Sequence, residues 1–178
     1  MTTARTAIRA LILLLIVLWL GGVLFFPIVA ATAFSTLTDT HAAGTIVAKC
    51  LRVLHYEGLF SGALIVVFLL FAQVTRAVPR SVAPSVIFTL IMLALTAYSQ
   101  FSIIPRMESY RIAAGGAIDA VPRDDPNRVA FNKLHGISEK VEEGVLLAGI
   151  VLIVLVAANY PRVEARIDPP AERPSESR

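Results

Sequence analysis

The sequence predicts an all-α fold, an integral membrane four-helix bundle. Three observations carry that prediction. Four apolar stretches follow one another along the chain, each near the roughly 20 residues that a helix needs to cross a hydrocarbon core about 30 Å thick. The chain is 56% hydrophobic and only 16% charged, against about 25% charged residues in soluble domains, and its mean hydropathy is +0.73. The polar residues gather in the connections and in the first halves of the second and fourth stretches. A length of 178 residues suits one bundle rather than two domains. The net charge of +3 is too small and too scattered for a nucleic-acid footprint. The lipid bilayer is therefore the expected partner, with a second copy of the chain as a further candidate. Cys50 is the single cysteine, which rules out an internal disulfide and a cysteine metal pair. It reads as a small packing residue.

The expected membrane domain covers residues 8–160, after a short cytoplasmic segment 1–7. The first span, 8–34, opens with Arg5 and Arg9 and an apolar run from Ala10 to Ala33. Ala31-Thr32-Ala33 has the small residues of a signal cleavage site. The run is longer than the 7–15 residues typical of a signal peptide's apolar region, so an uncleaved span is the reading. Gly21-Gly22 allows close helix contact. Pro27 lacks an amide and should kink the helix, which asks for packing neighbours around it. The second span, 43–75, begins with Lys49, Arg52, His55 and Glu57 and turns apolar from Leu59. Gly58-x-x-x-Gly62 is a small-residue contact motif. The third span, 82–104, starts after Pro79, carries Pro84 in its first turn, and is broken by Pro105. Arg106, Met107, Glu108 and Arg111 then form a short helix at the membrane interface.

The fourth span, 126–160, is announced by Asp124-Asp125-Pro126, where proline suits the first helical position and the aspartate caps the free amides. Its polar half puts Arg128, Asn132, His135, Glu139, Glu142 and Glu143 in one stripe about 100° wide. As a single helix it is roughly 50 Å long, so its first turns should stand outside the bilayer. The tail 161–178 is proline-rich and charged, hence disordered and cytoplasmic. Arg5 and Arg9, Arg76 and Arg80, and Arg162 and Arg166 share one side of a four-span topology. That side is cytoplasmic by the positive-inside rule, giving a multi-pass inner-membrane protein of a bacterium with both termini inside.

Candidate site residues follow from this topology. The second and fourth spans enter the membrane from the same side with their polar halves together. Arg52, His55 and Tyr56 can then face Asn132, His135, Glu139 and Glu142, with Arg106, Met107, Glu108 and Arg111 capping the cluster. Ionisable groups in a membrane are costly and normally face the interior in pairs. His55, His135, Glu142 and Met107 make a candidate metal set, since imidazole suits copper or zinc and thioether suits copper(I). Two facing histidines would instead ligate haem axially. A third reading leaves the cluster structural, with Arg52, Glu57 and Arg111 in interhelical salt bridges. Copper and haem are thus the candidate cofactors. No nucleophile–base pair, phosphate-cradling glycine loop or hydrolase motif occurs, which leans against an enzyme.

Three motifs carry a family resemblance. The first span holds Trp19-x-Gly21-Gly22-x-x-Phe25-Phe26-Pro27-x-Val29-Ala30. The third ends in Pro105-Arg106-Met107-x-x-x-Arg111. The fourth holds Phe131-x-x-Leu134-His135-Gly136-Ile137-Ser138. Together, over residues 8–158, the chain resembles the transmembrane protein 205-like family of small four-span proteins. More distantly it is similar to copper-resistance membrane proteins and to a haem-dependent porphyrinogen oxidase. The resemblance implies a four-helix membrane bundle with both termini in the cytoplasm and histidines near helix ends. Glu142 stands where members of the family often have asparagine, which makes this site more acidic.

Overall fold

A computed structural model describes residues 2–75 and 81–159. The Arg76–Arg80 connection with Pro79, and the chain from Tyr160 onward, lie outside the described residues, as do the expectations placed on them. Among the described residues there is no strand. The helices are α1 (Thr2–Thr36), α2 (Thr40–Val74), α3 (Ala83–Tyr98), a π-helical segment (Ser99–Ile103), α4 (Ile104–Ala113) and α5 (Pro126–Ala158). Four stretches are long and apolar enough to cross a membrane: α1, α2, α3 continued through α4, and α5. The protein is an all-α membrane four-helix bundle.

The helices begin where side chains satisfy their free amides. Asp39 caps α2 by accepting from the amides of His41 and Ala42 at 2.9 and 3.2 Å. Asp125 caps α5 by accepting from Asn127 and Arg128 at 2.8 and 3.2 Å, with Pro126 at the first helical position. Each helix packs on its sequence neighbour. α1 lies along α2, α2 along α3 and α3 along α5, and a sparser seam between α1 and α5 closes the ring.

The interior is built from apolar heptads and glycines. Ile12, Ile16, Trp19 and Leu20 of α1 meet Ile65 and Leu69 of α2, Met92 of α3, and Val145 and Leu152 of α5. Lipid supplies no hydrophobic drive between helices, so close van der Waals approach has to hold them. Trp19, 1% exposed, lies flat over Gly58 and Gly62, where any side chain would occupy the space of its indole ring. Leu20 sits likewise on Gly149, Leu54 on Gly22 and Leu93 on Gly62. The outer surface is apolar, with Leu14, Val17, Phe60, Val67, Ile87, Leu90, Leu147 and Val154 all exposed. This inversion of the soluble pattern is what a bilayer solvent requires.

Two prolines sit differently from expectation. α1 is continuous helix through Pro27, which lies on its exposed side rather than among packing neighbours. The close packing is centred on Trp19 and Leu20 instead. The third span does not stop at Pro105. The chain inserts the π-helical turn Ser99–Ile103, in which the Ile104 amide bonds back to the Ser99 carbonyl, and continues as α4 with Pro105 in its first turn. The wider turn makes room for the pyrrolidine ring, which in a regular helix would press on the carbonyl one turn back.

Candidate functional site

Inside this apolar bundle three polar side chains meet from three elements. His55 of α2 is 1% exposed, Gln100 of the π segment is 5% exposed, and the Glu142 side chain of α5 is 19% exposed. His55 Nδ1 lies 3.1 Å from Gln100 Oε1 and His55 Nε2 lies 2.7 Å from Glu142 Oε1. The amide oxygen can only accept, so Nδ1 carries a proton and donates it. The second contact holds one further proton, either on Nε2 donating to a carboxylate or on Glu142 donating to Nε2. Either way the pair is neutral as a unit.

The glycine contacts fix its depth. The apolar run of α1 has its middle near Gly22, which faces Leu54. That of α3 has its middle near Leu93, which faces Gly62. Residues 54–62 of α2 therefore span the middle of the bundle, with His55 toward one end of that stretch and its partner Gln100 about 10 Å past Leu93. On α5 the corresponding positions are Gly144, against Leu95, and Gly149, against Leu20. Glu142 is only two residues, about 3 Å along the helix, from Gly144. The polar half of α5 therefore reaches into the packed part of the bundle. Burying these groups in hydrocarbon is expensive unless they are paired and hydrogen-bonded, and both conditions are met.

The π segment is what delivers Gln100. The buried face of α3 runs Ser85, Thr89, Met92 and Thr96. At the π turn two adjacent residues, Ser99 and Gln100, are both buried, because the extra residue widens the inward face. In the sequence Gln100 lies near the far end of the third span and outside the candidate set. The available signal was a lone amide in an apolar helix, one turn before a proline.

Of the other candidate residues, only some join this site. His135 does not face His55. It lies two turns, about 10 Å, from Glu142 toward the start of α5, where the bundle no longer covers the stripe. Its side chain is 59% exposed, pairs with Glu139 at 3.3 Å, and stacks on Phe131 at 6.3 Å between ring centroids. Met107 is half-buried on α4, seven residues past Gln100. The four-residue metal set is thus not assembled, and the described residues contain no group of three or more His, Cys, Asp and Glu able to hold a metal. Two imidazoles facing each other, as haem ligation needs, are not formed either.

Arg52, Tyr56, Arg106, Asn132 and Glu139 are exposed. Tyr56 makes an edge contact with Phe101 at 6.5 Å. The interhelical salt bridges expected of Glu57 and Arg111 are replaced by local bonds. Arg111 pairs with Glu108 within α4 at 2.7 Å and also reaches Thr45 of α2 at 3.3 Å. Glu57 accepts from Ser61 of its own helix at 2.6 Å, while Arg52 is within electrostatic reach of Glu108. Arg128 turns back to the carbonyls of Asp119 and Val121 at 3.2 and 2.7 Å, pinning the connection before α5.

A search of curated proteins and a search of solved structures each found no match. One family model does match, over residues 14–115, which is more than half of the chain and covers α1 from its fourth turn onward, α2, α3, the π segment and α4. His55 and Gln100 lie within that segment and Glu142 lies beyond it. The chain belongs to the family described as a domain of unknown function, DUF4149.

Proposed function

We propose that this protein binds, and moves through its bundle, a small polar or cationic solute at the site formed by His55, Gln100 and Glu142. The observation that carries the reading is a buried imidazole hydrogen-bonded at both nitrogens, inside a membrane bundle. Ionisable groups in that position mark ion and solute pathways in membrane proteins. The approach is from the end at which α2 and α5 begin. There Glu142 keeps some exposure, and Lys140 and Glu143 are exposed beside it.

A metal ion is a narrower version of this reading. One imidazole, one carboxylate and one amide oxygen form a nitrogen–oxygen donor set that suits zinc better than copper(I), and the thioether of Met107 does not reach it. The 2.7 Å contact between His55 and Glu142 has to open before any ion larger than a proton enters. The reading therefore favours a polar solute that exchanges hydrogen bonds with the triad over a resident metal, and it includes no enzymatic step. With it go an orientation with both termini in the cytoplasm of a bacterium, based on the arginine asymmetry. The likeness to the transmembrane protein 205-like family rests on the three sequence motifs.

The test is thermal unfolding of detergent-purified protein against a panel of small polar metabolites with zinc and copper salts. A ligand at a hundred times its dissociation constant stabilises by about 2.7 kcal/mol, a readily measured shift. The expected result is a stabilising compound whose effect disappears in His55→Gln and Glu142→Gln and persists in His135→Ala. Shifts that survive both site variants would overturn the assignment.

A further inference from the structure

We infer that the buried hydroxyls of α3 form a water-holding seam from the His55–Gln100–Glu142 site toward the opposite face, closed in its middle by Met92. Protons reach or leave the pair through this seam. The inference extends the solute reading and rests on the same site. Ser85, Thr89, Thr96 and Ser99 share the inward face of α3 and are each at most 1% exposed. Three of them, Ser85, Thr96 and Ser99, have a buried hydroxyl oxygen with no hydrogen-bond partner in the protein. Ser and Thr in membrane helices usually bond the carbonyl one turn back, as Thr89 does to Ser85 at 2.8 Å. Three that do not, on one face of one helix, need another partner. A buried polar group without one costs about 1–3 kcal/mol, and water is the ordinary solution in protein interiors.

The spacing decides where water can sit. One water bridges two hydroxyls up to about 5.5 Å apart, twice a normal hydrogen bond. Ser85 and Thr89 are four residues apart, about 6 Å along the helix. Thr96 and Ser99 are three residues apart, about 4.5 Å, and Gln100 follows directly. The Thr96–Ser99 step takes a single water, and the slightly longer Ser85–Thr89 step takes two. The step from Thr89 to Thr96 is seven residues, about 10 Å, which one water cannot bridge. Met92 occupies that step, 1% exposed, in the buried apolar cluster that also holds Ile65, Val145 and Leu152. The seam is therefore two short polar segments divided by an apolar plug. Its full length, Ser85 to Gln100, is about 22 Å, most of the hydrocarbon thickness. A proton crossing it passes from water to water along the hydroxyls. A proton arriving at the His55–Glu142 hydrogen bond is matched by one leaving on the partly exposed side of Glu142, with no net chemical change.

The test is proton flux into proteoliposomes carrying a trapped pH dye, driven by a potassium gradient and valinomycin. Met92→Ser and the near-isosteric Met92→Gln should raise the flux about tenfold or more over wild type, since a hydrogen-bonding group then replaces an apolar gap. Met92→Leu should not. Adding Thr96→Val and Ser99→Ala to either polar variant should return the flux to the wild-type level. Folded, monodisperse Met92→Gln protein with wild-type flux would overturn the seam, and so would a leak that persists without both hydroxyls. A leak without any solute-induced thermal shift would uphold the seam and sink the solute reading. A solute shift with a tight Met92→Gln would do the reverse.

Discussion

Removing Glu142 leaves a specific and measurable defect. In Glu142→Leu, His55 keeps its bond to Gln100 but loses the 2.7 Å partner of Nε2. A buried polar atom stranded in this way costs about 1–3 kcal/mol in soluble proteins. In membranes, measured side-chain hydrogen bonds average about 0.6 kcal/mol with a maximum near 1.7, so a loss of about 1–2 kcal/mol is expected. His55→Leu should cost more, because it strands both the Glu142 carboxyl and the Gln100 amide. The triple variant His55→Leu/Gln100→Leu/Glu142→Leu strands nothing and should be closer to wild type than His55→Leu alone, as when buried charged networks are replaced whole by apolar residues. The assay is reversible unfolding in mixed micelles of increasing SDS fraction, followed by helical circular dichroism. The reasoning fails if the three substitutions add within about 0.5 kcal/mol, the margin expected of independent sites.

Other consequences are simpler. Gly62→Ala should destabilise by about 1–3 kcal/mol through overpacking, since its Cβ would meet Trp19 and Leu93 at 2.7 Å. Gly21→Ala, with open space around it, should instead stabilise by about 0.5–1 kcal/mol; the same unfolding assay reads both. His135→Ala should change stability by less than about 0.5 kcal/mol, since its partner Glu139 is exposed and such pairs contribute little; a larger loss would place His135 in the bundle's structural network. Thr40 is exposed at the start of α2, so in a Cys50→Ser background a Thr40→Cys probe should be labelled from outside in spheroplasts by a membrane-impermeant maleimide; labelling only after lysis would reverse the proposed orientation.

The architecture was legible because hydropathy and length suffice for it. A bilayer demands long apolar helices, and the sequence writes them in runs. The helix starts at Asp39 and Asp125 were equally legible, since a capping carboxylate acts within three residues. Pro105 misled because its effect depends on the turn before it. A regular helix would have ended there, and a π turn absorbs the ring. The salt bridges misled because charge type gives no direction. Glu108 and Arg111 are three residues apart on one helix, and that local geometry prevails over a partner across the bundle.

The separation of the two histidines has a sharper cause. The inward positions of α2 run His55, Gly58, Gly62, Ile65, Leu69 and Ala72, and those of α5 run Ser138, Glu142, Val145, Gly149, Leu152 and Val156. Each series alternates steps of three and four residues, the period of a left-handed bundle. Extending the α5 series backward by three lands on His135. Angular position therefore treats His135 and Glu142 alike, and only depth tells them apart. Glu142 lies beside Gly144, which faces Leu95 at the middle of α3. His135 lies some 10 Å farther out, at the level of α4, where the ring of helices is open. Depth is a tertiary property. It is set by glycines such as Gly22, Gly62 and Gly149 letting large side chains from neighbouring helices lock one register. A motif centred on His135 thus draws attention to a surface histidine, while the buried one is placed by glycines that carry no chemistry of their own.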